Sequence, residues 1–185
     1  MTDLCPEEIR GFFLYWRIYL KENISFNLTE SEIHTRQHAE RVLLYALLIG
    51  RQILSNTPDD LTALAHAAIF HDTRRMDDWL DVGHGARSAA YYLKFCEMNS
   101  DITYLEPAYL IMKYHDRDDR DGMEAIRQVC AGQAEHVIRL YQIFKDADAL
   151  DRFRLGPTAL DVRFLRNEAA LQLVDLAREA VRQTI

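Results

Sequence analysis

Leu64-Ala65-His66-Ala67-Ala68-Ile69-Phe70-His71-Asp72-Thr73-Arg74-Arg75 is an apolar run that turns polar at a single point. Leu64, Ala67, Ala68 and Ile69 recur three and four residues apart, the spacing of one helix face. Just upstream, Asn56-Thr57-Pro58-Asp59-Asp60 ends one helix and starts the next. Thr57 serves as N-cap, Pro58 takes the first helical position, and two acids meet the positive end of the dipole. A third helix is therefore predicted to run towards His71. Residues 73–83, which are polar and close on Gly83, are expected to form a loop.

The same periodicity extends in both directions. A second helix is expected from Ser31 or Ile33 to Leu54, with Val42, Leu43, Ala46, Leu47, Ile49 and Ile53 burying it heavily. Pro6-Glu7-Glu8 suits the first turn of an N-terminal helix, whose Phe12, Phe13, Trp16 and Tyr19 read as core packing. After the loop, His84 to about Met98 is an alanine-rich helix that permits close packing. Thr103-x-x-Glu106 has the form of a capping box for a fifth helix ending near His115, and Arg117 to Gly122 is expected to be a charged loop. Segments at about 123–130 and 133–154 lead to a stop at Gly156-Pro157, and a last helix is predicted over about 160–183. Sustained strand-type alternation, internal repeats and linkers are absent. The fold class read from the chain is all-α, in one domain spanning residues 1–185.

Composition narrows the functional classes. The 185 residues are enough for a substantial core, and no apolar stretch is long enough to cross a bilayer, because Gly50, Arg51 and Gln52 interrupt the longest one. The N-terminus lacks the basic start and apolar block of a signal peptide, so the cytoplasm is the expected compartment. Cys5, Cys96 and Cys130 are odd in number and widely spaced, which argues against disulfides and thiolate metal sites and suggests small buried side chains. A net charge of -7 with scattered arginines opposes an extended nucleic-acid surface. The oligomeric state is left open.

His71-Asp72 offers imidazole and carboxylate to a divalent cation, and Arg74 and Arg75 can hold an anion beside it. Adjacent residues on a regular helix point about 100° apart, so the pair converges best where a helix terminates. Antiparallel pairing of the second and third helices would bring His38 alongside, and Asp148 would complete a set of two imidazoles and two carboxylates.

Together, His38-x-x-Arg41-Val42, the run into His71-Asp72-x-x-Arg75, and Asp146-Ala147-Asp148-x-Leu150-Asp151 resemble the successive motifs of the HD-domain metal-dependent phosphohydrolase superfamily over roughly residues 31–155. The resemblance implies a compact core of about five helices with additional N- and C-terminal helices. It also implies metal ligands His38, His71, Asp72 and Asp148, a divalent ion (Mn, Mg, Fe, Co, Ni or Zn), and hydrolysis of a small phosphorylated substrate, commonly a nucleotide. Asp72 and Arg75 are the residues it assigns to the chemistry. His84 and His115 are candidates for a second metal or for substrate contact, although His84 follows the pair more closely than in two-metal members. Asp151 either tunes the metal from outside or pairs with Arg152. His34, His66 and His136 are read as surface or packing residues.

Two other functions fit the same residues. One is a di-iron oxygenase of the same superfamily, which needs His84 and His115 as ligands together. The other is a non-catalytic nucleotide-binding regulatory module. Tyr91, Tyr92, Phe95 and Tyr104 either line a base pocket or pack the core.

Overall fold

The computed structural model describes residues 1–31, 33–54 and 57–184; among them it contains nine α-helices, three short 3₁₀ turns and no strand. No helix among these residues is long and apolar enough to cross a membrane. The axis of the molecule is α2 (Arg36–Ile53), in which every residue from Arg41 to Gly50 is buried. A helix that is apolar all round must be enclosed. Here it is enclosed by α1 (Glu7–Asn23), α3 (Pro58–Phe70) and α7 (Ala134–Leu150), with α8 (Glu168–Leu171) and α9 (Val174–Thr184) closing the far side.

Local chemistry explains the well-anticipated elements. Thr57 precedes α3 as N-cap with Pro58 at its start, and its hydroxyl donates to the Asp60 carboxylate. α3 then lies against α2 at Gly50, where a Cβ would come within 2.8 Å of Leu64 Cδ1. α4 (His84–Met98) starts behind Gly83, whose φ of +100° favours glycine. It packs on α5 (Glu106–Tyr114) so closely that a Cβ at Gly85 would sit 2.5 Å from the Met112 carbonyl oxygen.

Elsewhere tertiary or local polar partners override the sequence reading. α2 begins at Arg36, not at Ser31 or Ile33, because the Ser31 hydroxyl captures the amides of Ile33 and His34 and Thr35 takes over as cap by accepting from His38 N. The Thr103–Glu106 capping box does not form: Leu105 is the N-cap of α5, and Tyr92 binds Leu105 N and the Thr103 carbonyl. The acidic run read as a loop to Gly122 instead starts α6 (Asp119–Val129), since Asp118 caps it by accepting from Arg120 N.

α7 stops at Leu150 and tightens into a 3₁₀ turn, Asp151–Leu155, rather than running to 154. The expected helix over 160–183 is broken into a 3₁₀ turn at Val162–Phe164, then α8 and α9, because the buried Asp146 carboxylate takes the amides of Arg166 and Asn167. Of the cysteines only Cys5 is buried, with Cys96 and Cys130 partly exposed. Asn56, read as part of a helix stop, lies outside the described residues.

Candidate metal centre

Five helix ends meet at one point. His38 lies in the first turn of α2, His71 is the C-cap of α3, His84 opens α4, His115 is the C-cap of α5, and Asp148 sits in the last turn of α7. Asp72 follows His71 into a turn closed by Thr73 N and Thr73 Oγ1, both donating to the Phe70 carbonyl. Because the helix has ended, the two neighbours can face one centre.

Each ring is oriented from behind. A carbonyl or carboxylate oxygen only accepts, so the ring nitrogen facing it is the donor. Nδ1 of His38 donates to Asp151 Oδ2 at 2.8 Å, and Nδ1 of His71 to the Ala68 carbonyl at 2.9 Å. Nδ1 of His84 donates to the Asp81 carbonyl at 2.6 Å and that of His115 to the Met112 carbonyl at 2.7 Å. All four Nε2 atoms are thereby turned inward.

They converge on the two oxygens of Asp72. His38 Nε2 and His71 Nε2 are 3.0 Å apart, and lie 3.5 and 3.7 Å from Asp72 Oδ2 and 3.4 and 4.0 Å from Asp148 Oδ1. On the other side, His84 Nε2 and His115 Nε2 are 2.9 Å apart and stand 3.0 and 3.7 Å from Asp72 Oδ1. Donor atoms about 2.1 Å from a common ion are about 3.0 Å from one another in an octahedron and about 3.4 Å in a tetrahedron. Both sets have these spacings, so the buried His and Asp groups can hold a metal ion.

Burial and Arg154 oppose charge on His38, yet the carboxylates of Asp148, Asp151 and Asp72 outweigh them and hold its pKa up, at about 10. Burial pushes His71 down to about 3 against the pull of Asp72. For Asp72, burial would raise the pKa, but His71, His115, His34 and His38 outweigh it and keep the carboxyl well below its usual range. Metal-free, the His38 proton faces His71 Nε2, Asp72 Oδ2 and Asp148 Oδ1 at once. A single hydrogen is a poor substitute there for a multivalent cation.

Outer partners fix this arrangement. Asp151 is fully buried and, besides His38, receives a bidentate pair from Arg41 at 2.5 and 2.9 Å. The tuning role therefore has a direct contact to act through, whereas the Asp146 carboxylate is bound by Arg166 and Asn167 of the C-terminal segment. Arg75 is buried with Nη1 3.6 Å from Asp72 Oδ1 and 3.2 Å from His84 Nε2, its other nitrogens donating to the carbonyls of Asp77 and Trp79.

Two participants escaped the sequence reading. His34 Nδ1 lies 2.9 Å from Asp72 Oδ2, so it is not a helix-surface residue. The available signal was its position one turn before His38, but that signal fails once α2 starts after it. Asp116 Oδ2 accepts from Gly83 N and Gly85 N, capping α4 from another element and holding His84 beside His115.

The other candidates fall elsewhere. His66 is buried in an aromatic cluster, and His136 pairs with Asp60 at 2.8 Å. Buried Tyr92 and the partly buried Tyr91 and Phe95 pack with Phe70, whereas Tyr104 stacks on Tyr92 from an exposed position. Asp148, a third exposed, opens into a cavity of about 290 Å³ that Asp72, His84, His115, Arg75 and Trp79 also line. A larger cavity, about 650 Å³, meets the cluster only at His34. Compared with protein-family models, curated proteins and solved structures, the chain matches none of them.

Proposed function

We propose that this chain is a metal-dependent phosphohydrolase of the HD-domain type, cleaving a phosphate ester or anhydride in a small metabolite, with nucleotides as the first class to test. The observation that carries the reading is the inward turn of four Nε2 atoms about the two oxygens of one carboxylate, each ring held by its Nδ1 from behind. His38, His71, Asp72 and Asp148 would hold one ion, and Asp72, His84 and His115 a second. Imidazole and carboxylate donors without thiolate suit Mn, Fe, Co, Ni, Zn or Mg. A divalent ion bound there lowers the pKa of water and polarises a phosphoryl oxygen. Arg75 brings fixed positive charge to the same end of Asp72, where it neutralises charge on a transferring phosphoryl group. Burial of the rings keeps bulk water from the floor, and Asp148 faces the entrance.

Elemental analysis combined with a panel of nucleotides and phosphate esters tests this. One or two ions per chain and turnover are expected, with both His71→Ala and Asp72→Ala abolishing turnover while helicity is retained. Metal-loaded protein that hydrolyses nothing across the panel overturns it. Thermal stabilisation by a nucleotide without turnover would point to a binding module instead. The His84–His115 approach favours one further reading, a di-iron oxygenase, because that chemistry needs both rings beside Asp72. One ion per chain, or bound iron with no oxygen consumption, removes it.

A further inference from the structure

Three arginines border the cavity over the cluster: Arg75, Arg152 and Arg154. Arg75 is folded onto the carbonyls of its own loop and against His84. Arg154 donates to the carbonyls of Ile33 and Asp151. Arg152 differs. Its Nε donates to the Ala159 carbonyl at 3.0 Å, which steadies the side chain, and both terminal nitrogens are left without a partner among the described residues. A guanidinium with its fork open beside a metal centre is built to take a tetrahedral oxyanion in two parallel hydrogen bonds.

Arg152 and Asp148 also border a second cavity, of about 470 Å³, whose wall includes Ala149, Leu160 and Phe164. Of the other strong cations on that wall, Lys145 donates to the carbonyls of His115 and Arg117, Arg166 is held by Asp119 and Asp146, and Arg117, with Nε 3.7 Å from Asp116 Oδ1, does not line the cavity over the cluster as Arg152 does. Phe164 is 73% exposed on the turn Val162–Phe164. That turn is pinned on one side by Asp161 accepting from Arg163 N and on the other by Asp146 holding Arg166 N. An aromatic ring kept in the open at a cavity edge contributes little to the core and offers a stacking face to a ligand.

We infer that Arg152 grips the anionic group of the substrate through its open fork while Arg75 adds fixed charge from its own loop, and that the substrate is a phosphate monoester whose compact apolar or aromatic substituent lies in the second cavity against Leu160 and Phe164. This rests on the proposed metal-dependent reaction, and makes Arg152 the boundary between the reacting head and the recognised body. The substrate then reaches across the two cavities that Asp148 and Arg152 share.

Methylphosphonate and phenylphosphonate are non-hydrolysable probes with the same dianionic head and different bodies. Their binding to the metal-loaded protein, followed by calorimetry with metal content measured in parallel, tests the assignment. Phenylphosphonate is expected to bind about tenfold tighter than methylphosphonate. Arg152→Ala should weaken both by about tenfold to a hundredfold with metal content unchanged, and Arg152→Lys should restore part of the loss. Phe164→Ala should erase the preference while leaving methylphosphonate binding intact. Wild-type affinity for both probes in Arg152→Ala, or a phenyl preference that survives Phe164→Ala, overturns this inference alone. Wild-type protein that takes up no metal overturns the proposed function and this inference with it.

Discussion

His66 and His71 belong to the same stretch of chain and are equally buried, yet one is packing and the other stands in a candidate metal centre. His66 sits between Trp16 and Tyr92, with its ring 4.6 Å from Trp16 in an edge arrangement and Nδ1 2.8 Å from Tyr92 Oη. Its Nε2 has no partner among the described residues, and burial alone pushes its pKa down to about 4. His71 Nε2 faces the Nε2 of His38 and two carboxylates. Burial is common to both and distinguishes nothing. What separates them is whether several ligand atoms converge on one point with at most a single hydrogen among them, where a shared multivalent cation would satisfy them all.

The sharpest way to break the comparison is to remove the carboxylate on which both histidine pairs converge. Asp72→Ala is expected to abolish metal uptake and reduce turnover by at least about a thousandfold, with helicity by circular dichroism unchanged. Metal binding that survives would return His71 to the same category as His66. Asp151→Asn should lower metal affinity by about tenfold to a hundredfold through His38, measured by competition with a chelating dye. It should also destabilise the chain, because Arg41 loses its bidentate partner. His34→Ala removes a partly exposed partner of Asp72 and should weaken metal binding by about tenfold at most.

For His66 the expected effect on metal binding is nil, and the readout is stability against pH. The unfolded chain takes up a proton near 6.5, whereas the buried ring resists it until about 4. The stability that His66 contributes is therefore complete above pH 6.5 and is lost as pH falls towards 4, by about 3 kcal/mol. Urea titrations of metal-free protein at several pH values should show a shallower decline in His66→Leu than in wild type. Parallel declines would mean that the ring is hydrated in the folded state.

Much of the frame was legible from the chain because it depends on short-range rules. Helix-period apolar residues, Pro58 at a helix start and the abrupt change at His71-Asp72 each act within a few residues. Hence the helical class, the start of α4 at His84 and the termination beside Asp72 agree with expectation. Of the ends that went astray, the α2 and α6 starts were moved by the nearby Ser31 and Asp118, and those of α5 and α8 by a group distant in sequence that captured a backbone amide, Tyr92 at Leu105 and Asp146 at Arg166 and Asn167. The distant kind of competition leaves no local trace.

The same division runs through the candidate centre. Residue type and position nominated His38, His71, Asp72 and Asp148, and the resemblance to the HD-domain superfamily added His84, His115 and the outer Asp151 as candidates. Tertiary structure alone decided that Asp72 presents one oxygen to each histidine pair, that His34 joins it, that Arg75 is folded onto its own loop, and that the terminal nitrogens of Arg152 have no partner among the described residues. Those outcomes depend on which distant atom reaches a ring or guanidinium nitrogen first. That is a matter of distances across helix ends and cannot be carried by spacing along one chain.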